Sequence, residues 1–134
     1  MFKVIKIDEA LGAFIEDIDL SKITEETSTE LFSCLAENEV LFFRNQNIRP
    51  KDHKRFASFF GNLQTHPAYP TVESFPEITI LENDEENPSK IEEWHTDMTF
   101  KKNPPLGSIL IGKIIPETGG DTMFSSVSIA YDDL

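Results

Sequence analysis

Downstream of Trp94 the connections in this chain are too short to carry a helix, and that limits the fold more than any other feature. "WHTDMTF" runs through "KKNPP" into the apolar stretch "GSILIGKII", which runs through "PETGG" into "DTMFS". Parallel neighbours need a crossover of about a dozen residues or more, so links of this length predict antiparallel pairing. Upstream, helical periods alternate with short apolar runs. The pattern therefore predicts a mixed α+β chain with an antiparallel tendency.

"FKVIKID" and "AFIEDIDL" read as strands. A helix is expected from Thr24, whose hydroxyl can cap it, with Glu25 and Glu26 favoured in its first turn by the helix dipole. Leu31, Phe32, Leu35 and Ala36 form its expected buried stripe. "VLFFR" is nearly all apolar and predicts a strand buried on both faces. Pro50 suits the first position of a second helix and Gly61 its C′ position, with Phe56, Ala57 and Phe60 on one face between them. "NLQTHPAYPTVESFP" has three prolines and no helical period, so it reads as a long loop, followed by the strand "EITIL" and the acidic loop "ENDEENPSKIEE". From Ser126 the pattern "SVSIAYDDL" is that of an opening helix, and the sequence runs out inside it.

Composition narrows the function classes. With 134 residues, 39% of them hydrophobic and 11 of them Phe, the chain suits one domain with a core rather than two. Twelve basic residues against 24 acidic ones give a net charge of -12, which argues against nucleic acid as a partner because phosphate binding rests on Lys and Arg. Cys34 is the one cysteine, so there is no disulfide framework, and its apolar neighbours mark it as a small hydrophobe rather than a reactive thiol. "MFKVIKIDEALGAF" lacks the apolar core of a signal peptide, and no run approaches the ~18 apolar residues of a membrane span. The expected location is the cytoplasm, with no membrane partner.

The chemistry concentrates in "WHTDMTF". On a strand, residues two apart share a face, which puts His95, Asp97 and Thr99 on one side and Trp94, Thr96, Met98 and Phe100 on the other, packed on a core. An imidazole and a carboxylate side by side can converge on one cation. Two such ligands are most of a 2-His-1-carboxylate triad, which leaves open positions on iron(II). On spacing alone, an aspartate that merely orients the histidine, or forms an ordinary surface pair with it, remains the competing reading.

"WHTDMTF", then "NPPLGSIL" and "PETGGDTMF", resembles the taurine dioxygenase (TauD/TfdA) family of iron(II)- and 2-oxoglutarate-dependent oxygenases. The agreement extends through "LGAFIEDIDLS", "VLFFRNQ", "RFASFFGNL" and "THPAYP", in order and over essentially the whole chain. The resemblance implies a double-stranded β-helix, a cupin-like jelly roll with flanking helices. It makes His95 and Asp97 iron ligands, and Thr122 the donor to a carboxylate of the cosubstrate 2-oxoglutarate. His66 and Tyr69 match substrate-pocket positions, and the products would be succinate, CO2 and a hydroxylated substrate. Gly119 and Gly120 read as turn residues, and no family role carries over to His53, which is expected at the rim of a helix face.

Two departures matter. The taurine enzyme has a substrate-contacting Asn where this chain has Ile91, and an apolar side chain cannot replace an amide hydrogen bond. Taurine is therefore disfavoured against other small anionic substrates: sulfonates, alkyl sulfates or aryloxyalkanoates. The family's second iron histidine and its 2-oxoglutarate-clamping arginine lie downstream, yet no histidine follows His95 and no arginine follows Arg55. Residues 1–134 thus read as the N-terminal portion of a single dioxygenase domain whose C-terminal part is absent, inactive alone. Its unpaired strand edges would favour homo-oligomers. The rival readings are an inactive or structural fragment, and a non-redox metal-binding barrel, such as a zinc site built from His95, Asp97 and His66.

Overall fold

The structure is a computed structural model describing residues 1–8, 11–66, 69–84, 86–89, 91 and 93–134. The loop expectations at Pro67, Ala68, Glu85, Lys90 and Glu92 lie outside the described residues. The chain divides into two compact units, Met1–Ile48 with Leu110–Leu134, and Arg49–Ile109.

The first unit is built on a three-stranded sheet in the order β1 (Lys3–Lys6), β2 (Ala13–Glu16), β3 (Leu41–Phe43). β1 and β2 pair antiparallel, and Gly12 takes φ +89 at their connection, where its carbonyl accepts the Ile7 N–H at 2.9 Å. β2 and β3 pair parallel. Helix α1 (Glu25–Asn38) lies between them and supplies the crossover, so the antiparallel expectation drawn from the short links downstream of Trp94 does not extend to this pair. Along β2 the sides alternate, with Ala13 and Ile15 buried. They join Leu20, Ile23, Leu31 and Ile48 as the unit's buried apolar residues.

Thr24 caps α1 as expected, its Oγ1 accepting the Thr27 N–H at 3.2 Å. The buried stripe is rotated from the expected one. Ser28, Leu31 and Asn38 are buried, whereas Phe32 is 46% exposed. The polar members are tolerated because their side chains bond back into the helix: Ser28 Oγ donates to the Glu25 carbonyl and Asn38 Nδ2 to that of Cys34. β3 is half-buried rather than buried on both faces, because it is an edge strand of the described sheet. Phe42 on β3 packs against Phe14 and, edge-on, against Phe124, with centroids 5.6 and 5.9 Å apart.

The expected strands "GSILIGKII" and "DTMFS" do not form. Strand propensity cannot replace a ladder partner, and among the described residues these stretches have none. Ile114, Ile115 and Met123 are largely exposed in consequence. The jelly roll is therefore not drawn by the described residues, which form an α+β arrangement of small sheets and helices. The expected terminal helix is present as α3 (Val127–Asp132), capped by Ser126. Glu39 fastens it, accepting from Ser126 Oγ at 2.7 Å and Ser128 Oγ at 2.6 Å. Gly119 and Gly120 have φ of 76 and 71, which fits their expected turn role.

In the second unit, α2 (Pro50–Ser58) begins with Pro50 at its first position, and Asp52 Oδ2 accepts from Arg49 N and Nε at the helix start. Phe56 is buried and meets Phe60 edge-on at 5.3 Å. Gly61 (φ 144) stands two residues past the C-cap Phe59, one later than expected. Part of the expected long loop is a hairpin of β4 (Thr71–Val72) and β5 (Phe75–Thr79), turned through Ser74 at φ 66. No helix among the described residues is long and apolar enough to cross a membrane.

Leu31→Ala should lower the unfolding free energy by about 3 kcal/mol through its cavity, while Phe32→Ala should cost under about 0.5 kcal/mol as a surface change. Urea unfolding midpoints separate the two. A pH effect is expected at Asp19, whose carboxyl is lowered from its ordinary 3.8 to about 2 by the Ser21 hydroxyl first, then Lys22 and the Ser21 N–H. A depressed carboxylate stabilises the fold above its unfolded value and loses that effect as pH falls through the folded one. Acid titration of the fold between those two values should therefore cost less stability in Asp19→Asn than in the unsubstituted chain.

Candidate metal centre

The residues around His95 form a turn, not a strand. Asp97–Phe100 reverses direction, Met98 sits in the left-handed region at φ 57, and Lys101 N–H closes on the Met98 carbonyl at 3.1 Å. The two-residue period fails at that reversal. Trp94 and Phe100, expected to pack on a core, are instead 67% and 83% exposed. The two candidate side chains still meet after the change of backbone, with His95 Nε2 3.3 Å from Asp97 Oδ1.

The other ring nitrogen decides what that distance means. His95 Nδ1 lies 2.9 Å from the Glu93 carbonyl oxygen. A carbonyl only accepts, so Nδ1 carries a proton and the ring turns Nε2 toward the carboxylate oxygen. With a proton on Nε2 the two groups make an exposed ion pair, and with a lone pair there they are two donors that can share one cation. Two donors each about 2.1 Å from one ion at a right angle would lie about 3 Å apart, close to what is found. A histidine whose second nitrogen is tied to a carbonyl is also the usual arrangement of a ligating imidazole. The pair therefore fits a divalent ion that takes nitrogen and oxygen donors.

Other expected site residues are placed as follows. His66 and Tyr69 are brought together, ring centroids 4.8 Å apart and tilted by 50°, in the same unit as His95 and Asp97. Thr122 belongs to the first unit, is exposed, and lies outside any strand. Ile91 is 59% exposed. Among the described residues no group of three His, Cys, Asp or Glu side chains is arranged to hold a metal, so His66 does not complete a zinc site with His95 and Asp97. Cys34 is half-buried, and burial raises its thiol above the ordinary value, helped by Glu37 and Glu30, in keeping with an unreactive thiol.

Several contacts had no sequence signal. His53 Nε2 lies 3.0 Å from the Ile109 carbonyl oxygen and donates to it, Lys54 Nζ meets Glu77 Oε1 at 2.6 Å, and Lys101 Nζ donates to Gln64 Oε1 at 2.6 Å. The partners are 56, 23 and 37 residues apart, and only folding pairs them.

The family model described as "Taurine catabolism dioxygenase TauD, TfdA family" matches residues 3–134. The chain belongs to the TauD/TfdA family. An alkylsulfatase from Acinetobacter baylyi is 37% identical over 131 residues, which are 96% of this TauD/TfdA chain and 41% of the relative. An alpha-ketoglutarate-dependent sulfate ester dioxygenase from Pseudomonas putida is 31% identical over 126 residues, 92% of this chain and 41% of its own. The chain thus spans about two fifths of the length of these curated relatives. A crystal structure of a taurine dioxygenase from Burkholderia xenovorans superposes with a TM-score of 0.52 at 26% identity, covering 56% of this chain and 28% of that one. In this TauD/TfdA chain, long-range 1H–15N correlation of the neutral His95 ring should show the proton on Nδ1. A proton on Nε2 of the neutral ring would contradict this tautomer and leave no lone pair there for a cation.

Proposed function

We propose that this chain supplies the first two iron ligands and the substrate-recognition residues of a dioxygenase that hydroxylates a small anionic organic molecule at the expense of 2-oxoglutarate and O2. The observation that carries the proposal is the approach of His95 Nε2 and Asp97 Oδ1 to 3.3 Å with the other ring nitrogen committed elsewhere. Imidazole and carboxylate together suit iron(II) with open coordination positions. The names of the two sulfate-directed relatives favour an alkyl sulfate or related sulfonate.

His95 and Asp97 hold the ion, and the Glu93 carbonyl keeps the imidazole turned so that Nε2 faces it. Thr122 offers its hydroxyl to a carboxylate of 2-oxoglutarate, an anion that needs a donor once it leaves water. His66 and Tyr69 present a ring nitrogen and a phenolic hydroxyl to the anionic head of the substrate. Ile91 gives an apolar contact where an amide would have favoured taurine, which suits an alkyl chain. Bound there, the metal supplies the redox chemistry that couples decarboxylation of 2-oxoglutarate to succinate and CO2 with hydroxylation of a substrate carbon. If that carbon bears a sulfate oxygen, the hydroxylated product collapses to a carbonyl compound and inorganic sulfate.

The proposal includes a jelly-roll barrel and a single catalytic domain completed, with a third iron ligand and a 2-oxoglutarate-binding arginine, from outside these 134 residues. Anaerobic titration tests the part this chain contributes. Iron(II) should bind weakly, addition of 2-oxoglutarate should give a visible absorption band, and both His95→Ala and Asp97→Ala should abolish it. The chain by itself should form no succinate. Tight zinc binding without the band, or sustained succinate formation by the pure 134-residue chain, would overturn this reading.

A further inference from the structure

The contact between Lys54 and Glu77 is poorly explained as a surface ion pair. Lys54 Nζ and Glu77 Oε1 are 2.6 Å apart, with the glutamate side chain only 20% exposed. Glu77 Oε2 is buried and has no hydrogen-bond partner among the described residues. A carboxylate in that position is costly to keep charged, and the ammonium of Lys54 is what compensates it. The same contact holds the Glu77 carboxyl below its usual range, the Lys54 hydrogen bond being the largest cause.

What the pair joins is more informative than its strength. Lys54 lies on α2 and Glu77 on β5, and the stretch between those two elements contains His66 and Tyr69. The pair therefore closes the base of the segment that carries both residues. On the β5 side the Ile80 N–H adds a bond to the Pro70 carbonyl at 2.8 Å. Within the segment Gln64 accepts from Lys101, one residue past the turn that includes Asp97. The His66–Tyr69 ring contact at 4.8 Å sits inside this frame.

We propose that Lys54 and Glu77 are positioning residues, whose ion pair between α2 and β5 sets His66 against Tyr69 for recognition of an anionic substrate head. The inference rests on the substrate role proposed above for those two residues. Neither Lys54 nor Glu77 touches substrate; both act through the segment they hold.

Proton NMR of the 134-residue chain reads this directly, because the Tyr69 ring displaces the His66 ring-proton resonances. Lys54→Met and Glu77→Gln should each remove that displacement while the dispersed resonances of the β1–β2–β3 sheet persist, and Lys54→Arg should preserve it. Hexyl sulfate should perturb the His66 resonances of the unsubstituted chain and bind several-fold more weakly to Lys54→Met. If Lys54→Met does not fold, Glu77→Gln, which keeps the side-chain volume, gives the same reading. A folded variant that loses thermal stability yet keeps the His66 displacement unchanged would overturn the positioning role. The displacement needs no ligand. A His66 resonance indifferent to hexyl sulfate in the unsubstituted chain would therefore count against the substrate role, while its loss in Lys54→Met would still support positioning.

Discussion

The approach of His95 Nε2 to Asp97 Oδ1 at 3.3 Å is the constraint around which the candidate centre is organised. The backbone holds them there by a turn in which Met98, with an unbranched side chain and no reason of its own to be left-handed, takes φ 57. That conformation costs on the order of 1 kcal/mol for a residue other than glycine. The Glu93 carbonyl removes the remaining freedom by occupying the other ring nitrogen. The left-handed Met98 and the tied ring together fix where the two side chains meet.

A related device operates in the first unit. Glu39 is left-handed (φ 61) at the end of α1, a place where glycine would fit with less strain. Its carboxylate explains why a glutamate can stand there, since it accepts hydroxyls from both Ser126 and Ser128 and thereby fixes the end of the segment that carries Thr122. Those hydroxyls, Ser128 first, also hold the Glu39 carboxyl below its usual range. Phe124 on Phe42 adds the apolar half of the same attachment.

Membership of the TauD/TfdA family was legible because it resides in ordered motifs along the chain rather than in any one contact. Caps were legible too, at Thr24, Pro50 and Ser126, since a cap is a bargain between residues a few positions apart. The strand at "WHTDMTF" was not, and neither were those at "GSILIGKII" and "DTMFS". A β-prone run becomes a strand only when a neighbour completes its ladder, and no local pattern reveals whether one is present. The face of α1 was misjudged at Phe32 for a similar reason. Hydrophobicity names candidates for burial, whereas neighbouring elements decide which of them are covered.

By itself the sequence determined which chemical groups this protein can bring to bear: one imidazole and one carboxylate two residues apart, and a second histidine with a tyrosine near it. These follow from covalent order, which fixes spacing whatever the backbone does. Only the tertiary structure decided that His95 and Asp97 meet across a turn rather than along a strand, that the His95 ring is anchored by a backbone carbonyl, and that Lys54 finds Glu77. Each of these depends on atoms brought together by the path of the backbone through space, and side-chain order along the chain carries no record of that path.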